Sequence, residues 1–260
     1  MFKNYFKVAF RNLQRNKVYA FINIAGLSLG LACAMLIILY IKDEVSYDHF
    51  QGNLNNIYRV VSSSVNADGG EEYKDGTTGY LQGPRFTENV PGLLSFVRIQ
   101  SGQEDIKKGT DVHSQGVLKV DSGFFSVFTF PLLSGNPKTC LQQPHSIVLS
   151  EDAAKKQFGT VDAIGKTVML KDKGEFIPYT VSAVAKRCPQ NSSIKFDVLL
   201  PFIVPAEDEQ QSENWFNFFL NTFVVLDPNA SVKKVENKMQ QFYEADAKEA
   251  IKIVTEKYGT

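Results

Sequence analysis

Residues 18–41 read VYAFINIAGLSLGLACAMLIILYI, and this uncharged stretch decides how the chain is organised. Its 24 residues, rising about 1.5 Å each, make a helix of about 36 Å, enough to cross a hydrocarbon layer of about 30 Å with some tilt. Working outward, Lys3, Lys7, Arg11, Arg15 and Lys17 precede it with no acid among them, whereas Lys42, Asp43, Glu44 and Asp48 follow. Positive flanks mark the cytoplasmic side of a span, so the expected topology is N-terminus inside and everything beyond position 42 outside. The chain holds 28 basic and 28 acidic residues; without the five basic ones of 1–41, 23 face 28 beyond the span. That net negative exterior lacks the basic surface of a nucleic-acid-binding body, so nucleic acid is not an expected partner.

A basic start followed by an apolar run also describes a secretory signal. Ala32-Cys33-Ala34 is a small-x-small cleavage pattern, and Gly30-Leu31-Ala32-Cys33 is similar to a lipoprotein processing box, though a larger aliphatic residue normally opens that box. Met35 to Ile41 nevertheless stays apolar for two more turns, where a processed signal would turn polar. A retained span is the expectation.

Before the span, Phe2, Tyr5, Phe6, Ala9, Phe10 and Leu13 recur at helical spacing, while Lys3, Lys7, Arg11 and Arg15 repeat every four residues. With Lys17 they make residues 1–17 a basic amphipathic helix suited to the inner-leaflet headgroups, with membrane lipid as its partner; an ordinary basic flank is the simpler alternative. Within the span, Gly26-Leu27-Ser28-Leu29-Gly30 matches the nucleophile-elbow string of hydrolases. That motif needs a strand-to-helix turn with an exposed serine, which a membrane helix forbids. Gly26, Gly30 and Ala34, spaced by four, read instead as a small-residue face that lets another helix approach; glycine frequency in membrane helices is the competing explanation.

Beyond position 42 strands and helices interleave. Strand patterns cover Ile57 to Val61, Leu93 to Gln100, Gly116 to Val120, Ser146 to Leu149, Phe196 to Leu200 and Phe218 to Leu226. Gly165 to Leu170 and Phe176 to Val184 form a hairpin around Lys171-Asp172-Lys173-Gly174. Helices are expected within Thr78 to Asn89, from the N-cap Ser150 to Gly159, and after Ser231, where Val232, Val235, Met239 and Phe242 line one face. The irregular order favours an α+β class over a doubly wound sheet.

The run Asp121-Ser122-Gly123-Phe124-Phe125-Ser126-Val127-Phe128-Thr129-Phe130-Pro131-Leu132-Leu133-Ser134-Gly135-Asn136-Pro137 resembles the periplasmic core domain of MacB/FtsX-type ABC transporter permeases. So do Pro144 to Glu151, Phe158-Gly159, Ile164-Gly165-Lys166, Tyr179-Thr180-Val181 and Pro189-Gln190-Asn191-Ser192, while Phe6 to Leu13 with Lys17 and the small-residue span is similar to the start of such permeases. The resemblance implies a cytoplasmic amphipathic helix (1–17), a membrane helix (18–41) and a periplasmic domain (42–260) of two mixed α/β lobes. One lobe would comprise about 50–120 with 191–260, the other about 121–190. It implies a bacterial inner-membrane permease subunit that works with an ABC ATPase subunit and a second permease copy or related permease, for export or mechanotransmission. Such permeases carry further membrane helices; with no second apolar run of spanning length before Thr260, an N-terminal part of a longer permease is expected.

No Gly-x-x-x-x-Gly-Lys-Ser/Thr string cradles phosphates, so ATP hydrolysis is expected on the partner and no catalytic, cofactor or metal site on this chain. His49, His113 and His145 fit no metal-ligand spacing. Cys140 and Cys188 could pair in an oxidising compartment, although two unbonded thiols are the simpler reading. Phe124, Phe125, Phe128 and Phe130, and Trp215, Phe216, Phe218 and Phe219, could meet hydrophobic cargo; lobe core is the plainer role. A single-span sensor or binding module, or a processed lipoprotein, stands as the alternative function.

Overall fold

The computed structural model describes residues 2–65, 72–204 and 214–250, with 252 and 256. It divides into a helical unit, 1–48, and an α+β unit, 49–260.

The helical unit consists of α1 (Phe2–Arg15) and α2 (Lys17–Val45). They part at Asn16, whose φ of −114° and ψ of 57° leave the helical region. Backbone bonds from the Asn16 N–H to the Asn12 carbonyl (3.1 Å) and from the Ala20 N–H to the Asn16 carbonyl (2.9 Å) run up to this break on either side. No Gly or Pro interrupts 42–50, a pattern that permits a helix continuous with the exterior, yet α2 stops at Val45. The Ser46 N–H and Oγ both turn back to the Asp43 carbonyl, and Asp48 takes a positive φ of 58°, closing the helix with a turn.

In the larger unit, a three-residue 3₁₀ turn leads into β1 (Ile57–Arg59); β2 (Ser62–Val65) and β3 (Glu72–Asp75) then form a small hairpin. After α3 (Gln82–Asn89) come the long strands β4 (Leu93–Lys108) and β5 (Asp111–Val120), the short α4 (Phe124–Val127), β6 (Leu132–Ser134), β7 (Ser146–Ser150) and α5 (Glu151–Phe158). The chain continues through β8 (Thr167–Asp172), β9 (Glu175–Ala185), β10 (Val198–Pro201), β11 (Asn221–Leu226) and α6 (Val232–Asp246).

Strand pairing closes a ring. β4 pairs β5, β5 runs parallel to β10, β10 pairs β7, β7 runs parallel to β9 and β9 pairs β8; β8 then returns to β4 through Ile106↔Leu170 and Lys107↔Met169. Ile106, Val117, Ile147, Leu149, Val168, Leu170, Val181, Val198 and Leu200 are buried together as one cluster with Ala154 of α5. The first half of β4 serves a second layer, in which residues 93–99 pair β11 and β11 pairs β1.

Period-two alternation sorts the side chains of these strands to two faces. On β11, Phe223 and Val225 reach an aromatic core with Val97, Ile99, Phe124, Phe128, Phe130 and Phe196, while Val224 and Leu226 join Phe86, Trp215 and Val235 under α3 and α6. On β10, Leu199 likewise turns to the aromatic core while Val198 and Leu200 fill the ring.

Local signals set the element ends. The Ser150 Oγ accepts from the Ala153 N–H (3.1 Å) at the start of α5, Glu151 and Asp152 occupy its first turn, and Gly159 leaves it in the left-handed region at φ 73°. Lys173 and Gly174, both at positive φ, turn β8 into β9.

Candidate functional site: the apolar helix and the exterior domain

On α1 the aromatic side chains Tyr5, Phe6 and Phe10 stand exposed, as do Lys7, Arg11 and Arg15. Exposed apolar and cationic residues on one short helix suit a lipid–water boundary better than water alone. Lys17 opens α2 and does not extend α1. The side chain of Lys3 lies outside the described residues.

The second helix is 29 residues long, with a mean hydropathy of 2.4 over its most apolar window and no buried residue in that window. A core helix of a water-soluble domain would be covered on at least one side; this one exposes Leu27, Leu29, Leu31, Leu36, Ile37, Ile38 and Leu39. Ser28 sits inside the uninterrupted helix, so the elbow string forms no strand-to-helix turn. A Cβ built on Gly26 or Gly30 would meet no atom within 4 Å, and Ala34 is exposed, so the small-residue face is bare among the described residues.

His49 lies in the turn after α2, His113 on β5 and His145 just before β7, where its ring meets Tyr179 edge-on at 5.2 Å. Among the described residues no three His, Cys, Asp or Glu side chains come together as metal ligands. A cleft of about 20 Å³ between α5 and the strand ring is lined by His113, Gln115, Lys156 and Gln157 over Leu149 and Val198; it has room for water and nothing larger. Cys140 and Cys188 are unbonded thiols. Burial pushes Cys140 up to about 11 and raises Cys188, so both stay protonated and unreactive near neutrality.

The aromatic residues divide by position. Phe124, Phe128 and Phe130 are buried, with Phe124 stacked on Phe130 at 5.6 Å and Phe128 edge-on to Phe223 at 5.2 Å. Trp215 is buried between Phe86 and Tyr243, its indole N–H donating to Asp246 Oδ2 at 3.1 Å. Phe125, Phe216 and Phe219 are half-buried and Phe218 is exposed, at 40%. Phe124, Phe128, Phe130 and Trp215 are therefore core.

Two polar groupings escaped the sequence reading. Arg98 makes a two-pronged pair with Asp121 (Nε to Oδ2 3.0 Å, Nη2 to Oδ1 2.8 Å) while its guanidinium lies over the Phe96 and Phe202 rings at 5.3 and 4.7 Å. Gln51, directly after the helical unit, is buried, and its Oε1 accepts from the Thr129 N–H. Nothing local marks either residue, because each partner is distant in sequence.

The family model for the MacB-like periplasmic core domain matches residues 20–242. The chain belongs to that family. The match starts inside α2 and runs through the exterior domain into α6, so an apolar helix of spanning length and a domain of the periplasmic class form one membrane-protein unit. The fold is similar to that of a domain of a protein described as a permease from Porphyromonas gingivalis, at 23% identity and a TM-score of 0.65 over 75% of this chain and 83% of that one. Further matches are the periplasmic region of MacB from Actinobacillus actinomycetemcomitans (15% identity, TM-score 0.47, 63% of this chain and 72% of that one) and the extracellular domain of the noncanonic ABC-type transporter YknZ from Gram-positive bacteria (16%, 0.46, 79% and 96%). None of the curated proteins matches the chain.

Proposed function

We propose that this chain is the N-terminal part of a permease subunit of a MacB/FtsX-type ABC transporter, lying in the bacterial inner membrane with α1 cytoplasmic and the domain beyond α2 periplasmic. It catalyses no reaction itself. A partner ABC ATPase hydrolyses ATP, and the permease passes the resulting motion through α2 to the periplasmic domain, for substrate export or mechanical signalling. A second permease copy or a related permease completes the pair.

The observation that carries this reading is the family match beginning within α2, which makes the span and the domain parts of one inherited unit. The absence of acids before position 42 supports the orientation. Single cysteines at the exposed positions Ser63 and Lys173 test it: both should react with a membrane-impermeant thiol reagent in intact spheroplasts, and protection at both would reverse the topology. The mature chain should keep its full mass without lipid on Cys33, since cleavage would remove about 3–4 kDa. Gentle extraction from native membranes should bring an ATPase down with the permease; a chain that repeatedly comes alone would sink the transporter reading in favour of an anchored sensor.

A further inference from the structure

The residues that follow the turn after α2 are attached to the domain at three points, two at the exposed residue Thr129 and one at the buried Phe130. The Thr129 N–H donates to Gln51 Oε1 at 2.6 Å, the Gly52 N–H donates to Thr129 Oγ1 at 3.0 Å, and the Phe50 ring meets Phe130 edge-on at 5.4 Å. Gln51 is one of few buried polar residues, at 7% exposure. A buried amide oxygen is costly unless it accepts a hydrogen bond, so its position is set by the Thr129 donor. Thr129 lies between Phe128 and Phe130, both in the aromatic core that also takes Phe223 from β11 and Leu199 from β10.

We infer that Gln51 and Thr129 form a clamp that shortens the tether between α2 and the domain and delivers any displacement of the helix to the aromatic core. Chain length decides the point. With the clamp closed, slack is confined to residues 46–49, about 14 Å when fully extended. With the clamp and the Phe50–Phe130 contact both released, the next pairing is that of β1 from Ile57, and residues 46–56 could extend to about 38 Å. The longer tether would absorb a helix shift of a few ångströms; the shorter one, already held by the turn bonds at Ser46 and Tyr47, would pass it on. The functional meaning rests on the permease reading above, whereas the clamp itself does not.

The test uses the full chain in lipid nanodiscs, with Cys33 and Cys188 replaced by Ala. Gln51→Met keeps the volume and removes the acceptor; Gln51→Glu keeps an acceptor oxygen; Thr129→Val keeps the shape and removes the hydroxyl. Hydrogen exchange at the Thr129 amide should quicken about tenfold in Gln51→Met, as expected for loss of one partly buried hydrogen bond, and that at Gly52 should quicken by less in Thr129→Val, because that bond is exposed. Gln51→Glu should behave like the parent. Spin labels at Glu44→Cys and Lys138→Cys should give a distance distribution that broadens in Gln51→Met and Thr129→Val but not in Gln51→Glu. Unchanged exchange, or an unchanged distribution in both deletion variants, overturns the clamp, and broadening in Gln51→Glu as well would reduce Gln51 to filler. None of these readouts requires an ATPase, so their failure removes the clamp and leaves the permease assignment standing; failure to find an ATPase removes the assignment and leaves the clamp.

Discussion

Arg98 shows how much one long-range pair can hold. Its guanidinium joins the residue after β5 to the middle of β4: Asp121 accepts from the Arg98 backbone N–H at 2.7 Å as well as from the side chain, and Arg98 Nη1 reaches the Tyr80 carbonyl at 3.1 Å. The two side chains are only 13% and 16% exposed. Removing one member of so buried a pair strands the other, so Asp121→Ala should cost about 3–5 kcal/mol. Asp121→Asn, which still offers a carbonyl oxygen to the Arg98 backbone, should cost clearly less. Denaturant titrations followed through Trp215 fluorescence measure both; equal losses would assign the effect to packing and not to charge. The buried thiols make a second prediction. Because the Cys140 thiol is raised to about 11 in the fold from an ordinary 9, it stabilises fully below pH 9 and loses that contribution as pH climbs through 11. The loss should be on the order of 2–3 kcal/mol. Burial also raises Cys188, Tyr179 and Tyr243, so Cys140→Ala should flatten the alkaline decline without abolishing it. A parent chain equally stable at pH 8 and pH 11 would contradict this.

Among the elements, α5 is bounded by its own residues. Ser150 both caps the helix and donates its hydroxyl to Asp197 Oδ1 at 2.9 Å, tying β7 to the residue before β10. Ser150→Ala should therefore cost about 1–2 kcal/mol, more than an exposed cap alone. α2 is the opposite case: its length and composition are written in the chain, but what its small-residue face meets is not. In the full-length permease Gly30→Leu should impair assembly or transport while leaving insertion intact, because leucine suits a lipid-facing helix and blocks close approach of another. Leu36→Ala, off that face, should have the weaker effect. If Gly30→Leu cross-links and transports like the parent, the face is turned to lipid.

Across the whole exterior domain, the closing contacts of the strand ring are few. β8 meets β4 at two residue pairs only, and Leu170, fully buried, supplies one of them. Leu170→Ala should cost about 2–5 kcal/mol and open the ring as a unit. Amide exchange should then quicken in all six ring strands and much less in α3 and α6, whose cluster is separate. Exchange that rises in β8 alone would mean that the ring does not act cooperatively.

Features with short-range causes were legible in the sequence. The apolar run, its charged flanks, the Ser150 cap, the Gly159 stop and the Lys173-Gly174 turn each depend on residues within a few positions, where helix length, lipid thickness and backbone sterics leave little choice. Strand patterns likewise placed the first half of β4, the last half of β5 and nearly all of β9. The expectation that β4 ends near Gln100 fell short because residues 101–108 are mostly polar, and only pairing with β5 and β8 holds them extended. The hairpin of β2 and β3 has no apolar signal and escaped notice for the same reason. Ring closure, the Arg98–Asp121 pair and the clamp at Gln51 join residues 23 to 78 positions apart. Such contacts arise only when the chain has already brought distant segments together, and no local propensity encodes which buried polar group will meet which partner.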